Sequence, residues 1–349
     1  MILNMPIRKV ENNKIKLYAA DAFNGSAVVV YIKICLGGIK MFKYILKRLA
    51  YMLVTLWIVI SITFVLMHTI PGDPLATSAK RLPPQIRANY YAKYGLDKPL
   101  TTQYSIYMKN LLKGDLGDSL AFAGRSVNTV IKDGLPASSQ IGIQAVVVGF
   151  LLGIILGTVA AFKRNKWPDY IVMFLALLGV SIPSFVFAAL LQYIFTVKFM
   201  ILPTTGWGSL KYTILPTIAL SLSPLAIYAR YMRNECLDVL GQDYILTAKA
   251  KGVSKFSLVR KHVIRNSILP SITILGPQIA TILTGSFVIE SIFGIPGLGN
   301  SFVGAVNNMD YSMIMGLTVF MAAIYIFSLL VVDILYGIID PRIRLTNSK

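Results

Sequence analysis

The sequence predicts an all-α membrane protein of about six transmembrane helices with both termini in the cytoplasm. Three observations predict it. Of 349 residues, 55% are hydrophobic and only 14% charged, against roughly a quarter charged in an ordinary soluble domain. The apolar residues gather into runs near the roughly 20 positions needed to cross a bilayer. Lysine and arginine fall mainly between those runs. A net charge of +19 would suit phosphate, but a cationic residue in each cytoplasmic gap is what membrane topology demands. The expected surroundings are therefore the lipid bilayer, with no nucleic acid.

The first span runs from about Ile45 to Thr69, within a first transmembrane segment at 41–70. Lys40, Lys43, Lys47 and Arg48 precede it and Pro71-Gly-Asp-Pro74 follows, which puts its amino end in the cytoplasm. Residues 1–40 read as an N-terminal extension: Ser26 to Ile39 is apolar but short, holds Lys33 and lacks a small-residue cleavage pattern. Residues 71–137 carry too many charges to cross, among them Arg81, Lys93, Asp97 and Asp118. They are expected as an extracytoplasmic loop or cap, since loops of this length translocate largely regardless of charge.

The core transmembrane region is expected at 138–340. Its second span, about Ser138 to Phe162, ends at Lys163, Arg164 and Lys166. The third, about Asp169 to Lys198, reads as one tilted helix kinked at Pro183, because proline removes a backbone hydrogen bond and crowds the preceding turn. The fourth covers about Tyr212 to Met232. Residues 234–267 then carry Lys249, Lys251, Lys255, Arg260, Lys261 and Arg265, the most basic short segment, and so belong inside. The fifth span is about Ile268 to Ile289. Residues 291–311 have no Lys or Arg and are placed outside. The sixth, about Ser312 to Ile338, leads to a cytoplasmic tail at 341–349. Every short loop agrees with the charge rule, and spans of this length must be helices that satisfy their own backbone.

Enzymatic signatures are missing. His68 and His262 lie at opposite ends of the predicted fold and cannot share a metal. Two cysteines, Cys35 and Cys236, exclude a disulfide framework. There is no His-Glu-x-x-His, no Gly-x-Ser-x-Gly and no G-x-x-x-x-G-K-[ST] phosphate loop, so the chain itself is expected to hydrolyse no ATP and to hold no cofactor. Gly294-Ile-Pro-Gly297-Leu-Gly299 lacks the strand and helix context of a dinucleotide site.

The cytoplasmic segment, about 238–266, reads as helix, tight turn and helix. Asp238 to Lys251 suits a helix ended by Gly252; Ser254 can cap a second, with Phe256, Val259 and Val263 as its apolar face. It is either a membrane-surface hairpin meeting anionic headgroups or a helix that docks in a groove of a soluble partner, for which small Thr247, Ala248 and Ala250 suit close approach. Glu290 and Asp333, at the ends of spans five and six, are expected in interface or capping roles rather than in contact with substrate.

Asp243-Tyr-Ile-Leu-Thr-Ala-Lys-Ala-Lys-Gly252, followed by Arg260-Lys-His262, Arg265-Asn266 and Leu269-Pro270, resembles the coupling loop of binding-protein-dependent ABC importer permeases of the oligopeptide, dipeptide and nickel subfamily. Leu246 and Thr247 replace the first two residues of the family's Glu-Ala-Ala-x-x-x-Gly, while Ala248 and Gly252 match. Ile70-Pro-Gly-Asp-Pro74, Lys113-Gly-Asp-Leu-Gly117, Ser181-Ile-Pro-Ser-Phe185, Ile289 to Gly299 and Ile339-Asp-Pro-Arg342 extend the likeness from Met41 nearly to the end. Leu82-Pro-Pro84 and Thr102-Gln-Tyr104 bring it closest to the B-type permease of oligopeptide importers.

The resemblance implies the type I ABC importer permease fold. It also implies a homologous second permease subunit, two ATP-binding subunits that hold ATP and Mg, and an extracytoplasmic peptide-binding protein. Asp243, Thr247, Ala248, Ala250, Gly252, Arg260, His262 and Arg265 become the residues that couple to the ATPases. Substrate-binding residues stay unassigned. A dipeptide or nickel importer and, at greater distance, a secondary transporter are the alternatives.

Overall fold

The computed structural model describes residues 25–69, 85, 89, 91–92, 95–122, 124–283 and 286–339. The expected loop motif at 70–74, Leu82-Pro-Pro84 and the tail at 341–349 lie outside them, as does the side chain of Asp333. Helix α1 (Gly25–Thr69) begins well before Met41 and crosses the expected boundary at residue 40 without a break. Helix α2 (Leu100–Leu112) lies within the segment expected as a cap. It lies against the outer end of α1, where Ser61 bonds the Tyr104 hydroxyl at 2.7 Å and His68 Nε2 meets Gln103 Oε1 at 3.0 Å. Burial of the neighbouring Tyr107 pushes its hydroxyl above the usual tyrosine range.

Helix α3 (Val127–Phe162) starts eleven residues before the expected Ser138. Ser126 caps it by accepting from the Thr129 N–H, and Pro136 is accommodated inside it. Val127, Val130 and Ile131 of this extra stretch pack with Leu298, Tyr311 and Leu317. Its polar residues Asn128, Lys132 and Asp133 occupy the face turned away from that core.

Helix α4 (Trp167–Ser181) and helix α5 (Ser184–Gln192), which continues as a π-helical turn Tyr193–Lys198, replace the single kinked span. The pair is bent by 104°. Ile182 is extended (ψ 121°), because proline disfavours α geometry in the residue before it, and Pro183 also leaves the helical region (ψ 134°). Two consecutive extended residues turn a kink into a break.

Helix α6 (Leu210–Leu240) continues past the expected end at Met232. It runs parallel to α3 as the central pair, with Gly149, Gly153 and Gly157 in one stripe at the contact. A Cβ on Gly153 would stand 2.5 Å from Tyr228 Cβ, and one on Gly149 2.9 Å from Pro224 Cβ; small residues at this spacing let helix backbones meet within a membrane. After the cytoplasmic hairpin, helix α10 (Leu269–Leu283) stands for the fifth span. Its fifteen residues reach about 22 Å at 1.5 Å per residue.

The outer segment after it is no loop. Helix α11 (Phe287–Phe293) and helix α12 (Leu298–Asn307) form a second bent pair, at 92°. Gly294 makes the corner in the left-handed region (φ 63°), where the Ile295 N–H returns to the Glu290 carbonyl and that of Gly294 to Ser291. Glu290 is buried and caps α12: its carboxylate accepts from the N–H groups of Gly299 and Asn300 at 2.8 and 3.1 Å and from the Ser138 hydroxyl at 2.7 Å. Interface and capping are thus its roles. Helix α13 (Tyr311–Ile339) closes the described chain. At its start buried Asp310 accepts from the Ser119 hydroxyl and the Leu120 and Met313 N–H groups, fastening the cap to the last span.

Among the described residues four helices are long and apolar enough to cross a membrane, and the two bent pairs raise the number to six. The two bent pairs meet through one half of each: Ala188 and Leu191 of α5 lie with Ile289 and Phe293 of α11 in one buried cluster. The Gln192 amide ties them further, donating to the carbonyls of Thr204 and Ile292 at 2.9 and 3.1 Å.

Candidate functional site

The segment expected on the cytoplasmic side folds as a compact hairpin. Helix α7 (Asp243–Ala250) ends in a six-residue turn closed by two bonds, from the Gly252 N–H to the Lys249 carbonyl (3.0 Å) and from the Val253 N–H to the Ala248 carbonyl (3.2 Å). That pairing requires a left-handed residue at position 252, and Gly252 has φ 74°. Ser254 then caps helix α8 (Lys255–Ser257) by accepting from the Ser257 N–H. The chain winds on through a π-helical segment, Leu258–Ile264, into helix α9 (Arg265–Ser267).

The hairpin's inner face is one core with the bundle. Ile245, Ala248, Leu258 and Val263 are buried against Ile154 and Ala161 of α3 and Met232 and Cys236 of α6. Each large aliphatic side chain removed from water here stabilises the attachment by about 1.5–3 kcal/mol. The hairpin is therefore fastened to the adjoining ends of the two central helices. Beside it, Arg233 of α6 grips Asp169 of α4 with both forks, Nε to Oδ1 at 2.6 Å and Nη2 to Oδ2 at 2.8 Å, while the Asn165 N–H donates to the same carboxylate. Bidentate geometry of this kind fixes orientation as well as distance.

The outer face carries Tyr244, Leu246 and Phe256, which are 42%, 59% and 74% exposed. Arg260 lies over the Phe256 ring, 5.6 Å from its centre, and the Asn266 amide joins the Tyr244 hydroxyl to the His262 carbonyl, bridging the two arms. Lys249, Lys251, Lys255 and Arg265 are exposed on the same hairpin, so its solvent-facing side carries apolar and basic side chains together.

Of the expected site residues, Asp243, Thr247, Ala250, Gly252, Arg260 and Arg265 are exposed on the hairpin, and His262 is half-buried. Ala248 is not available to a partner: it is 7% exposed and faces the chain's own core, so its small size answers to internal packing. Phe256, expected on the inner face with Val259 and Val263, points outward instead. The winding explains it: i→i+5 bonding puts residues five apart on one face, so Leu258 and Val263 become the buried pair. Nothing in the sequence pattern places Tyr244, Leu246 and Phe256 among the exposed side chains of the hairpin; the available signal is an apolar side chain within a run of lysines.

Residues 149–345 match the family described as binding-protein-dependent transport system inner membrane component, and residues 41–128 match the N-terminal region of such membrane components. The chain is 45% identical over 305 residues to the dipeptide transport system permease protein DppB of Bacillus subtilis (strain 168), covering 87% of this chain and 99% of that protein. It is 43% identical over 305 residues to DppB of Lactococcus lactis subsp. cremoris (strain MG1363), at 87% and 100% coverage. It is 45% identical over 306 residues to the oligopeptide transport system permease protein OppB of Haemophilus influenzae, again covering 87% and 100%.

Proposed function

The chain belongs to the binding-protein-dependent transport system inner membrane components, and on that premise we propose that it is the permease subunit of an ATP-driven peptide importer, forming half of the translocation pathway. The names of its relatives carry the cargo class, dipeptide and oligopeptide alike. The observation that carries the mechanism is the hairpin at 243–267, whose solvent-facing side exposes Tyr244, Leu246 and Phe256 and whose inner face is continuous with α3 and α6.

In this reading two partner ATPases hold ATP and Mg and seat the outer face of the hairpin, with Tyr244, Leu246 and Phe256 as the apolar contacts and Asp243, Thr247, Ala250, Arg260 and Arg265 around them. Gly252 shapes the turn, and His262 supports the second arm. Closure of the ATPases on ATP pulls the hairpin, and the shared core passes the displacement to the central helices. A homologous second permease completes the pathway, and an extracytoplasmic binding protein delivers peptide. This chain performs no covalent chemistry; it changes which of two conformations its partners favour.

The test is reconstitution of the permease pair with ATPases and binding protein in vesicles, following labelled peptide. Uptake that needs ATP and binding protein and survives collapse of ion gradients supports the proposal. Uptake that follows an ion gradient without ATP overturns it.

A further inference from the structure

At the outer mouth of the α3–α6 pair is a cavity of about 340 Å³ lined by Gln140, Trp207, Gly208, Ser209, Leu210 and Thr213. Its size lies at the lower end for small-ligand pockets. None of the side chains lining it is charged. Gln140 is exposed, and neither its amide nor the indole N–H of Trp207 has a hydrogen-bond partner among the described residues. One turn further along α3, Gln144 accepts from the Thr217 hydroxyl at 3.0 Å, which leaves its amide N–H groups as donors.

Gln140, Ile143, Val147 and Leu151 fall on one face of α3. Below the polar cavity that face enters an apolar groove of about 270 Å³, walled by Ile143, Val147 and Phe150 of α3 and Leu275 and Ile279 of α10. A neutral mouth with free amide donors and acceptors, with an apolar groove further along the same helix, matches a chain whose main chain repeats N–H and C=O groups and whose side chains vary. No lysine, arginine or carboxylate lies between 138 and 162 to favour one side-chain charge.

We infer that the cavity at Gln140 and Trp207 is an entry subsite that holds the main chain of the transported peptide, with its side chains directed into the groove along α3. The subsite rests on the importer reading, and it supplies what a transporter of varied peptides requires: recognition of the amide groups that all share.

The test uses the assembled importer in vesicles, with Gln140→Cys in a Cys35→Ser background, Cys236 being buried. A membrane-impermeant maleimide added outside is expected to label position 140, and saturating tri-alanine, delivered by the binding protein with ATP inside, is expected to slow labelling at least about fivefold. In parallel, Gln140→Leu is expected to lower the maximal uptake rate about three- to tenfold, the effect of one lost hydrogen bond, with the assembled complex intact. A position that never labels faces lipid or the second permease, and labelling that ignores peptide while uptake proceeds shows a vestibule the cargo does not touch; either result overturns the subsite alone. Absence of uptake by the wild-type complex instead overturns the importer reading and the subsite with it.

Discussion

Replacing Gly252 isolates the backbone term in the hairpin from every contact term. The residue sits at φ 74°, and a Cβ built there meets nothing within 4 Å. A side chain of any size therefore fits the space and is resisted only by the left-handed backbone, at roughly 1–2 kcal/mol for an L-residue. Gly252→Ala and Gly252→Leu should weaken the turn equally, while Gly252→Asn, whose side chain tolerates this region, should weaken it less. A loss of 1–2 kcal/mol raises the population of the opened turn about 5–30-fold. Hydrogen exchange at the amides of Gly252 and Val253 should accelerate by that factor, and peptides imported per ATP hydrolysed should fall in the order Asn, then Ala and Leu together. If Leu were far worse than Ala and Asn no better than Leu, side-chain size would be the cause. The glycine would then be reserved for close approach of a partner, and the backbone argument would fail.

Ala248→Arg should behave differently from changes on the outer face. It places a cation in the core shared with Met232 and Cys236, so thermal unfolding of the detergent-solubilised permease should shift down and ATPase binding should be lost with it. Asp169→Ala leaves Arg233 unpaired and Arg233→Ala strands a buried carboxylate; because the pair lies at the rim of the bundle, each should cost about 1–3 kcal/mol, less than a deeply buried pair, and the double variant less than the sum. A double-mutant cycle on unfolding midpoints measures this. Gly153→Ala pushes Tyr228 away and should reduce the yield of folded protein, whereas Gly304→Ala, in a helix with open space around it, should be neutral or stabilising by up to about 1 kcal/mol.

Hydrophobic length and charge placement located the straight spans, because a lipid-facing helix such as Ile45–Thr69 is apolar along its whole length. What they missed follows from helices whose surroundings are not lipid. The first eleven residues of α3 carry Asn128, Lys132 and Asp133 and read as loop, yet they are helical because Val127, Val130 and Ile131 find partners on α12 and α13; the cap at Ser126 was the visible cue. The right-angled breaks at Pro183 and Gly294 need the bent pairs to pack on each other, a long-range fact that no local pattern states. In the hairpin, Gly252 and Ser254 were legible as stop and start signals. The π winding was not, so Phe256 is expected inward where Leu258 takes the buried place.

The central claim is that the outer face of the hairpin receives the ATPases. Phe256→Glu combined with Leu246→Glu tests it, since side chains 74% and 59% exposed can be made acidic without disturbing the chain's own core. With the assembled complex purified through this permease, the account predicts an unchanged unfolding temperature, loss of co-purifying ATPase subunits and loss of peptide uptake. Retention of the ATPases at wild-type stoichiometry together with wild-type uptake would contradict it.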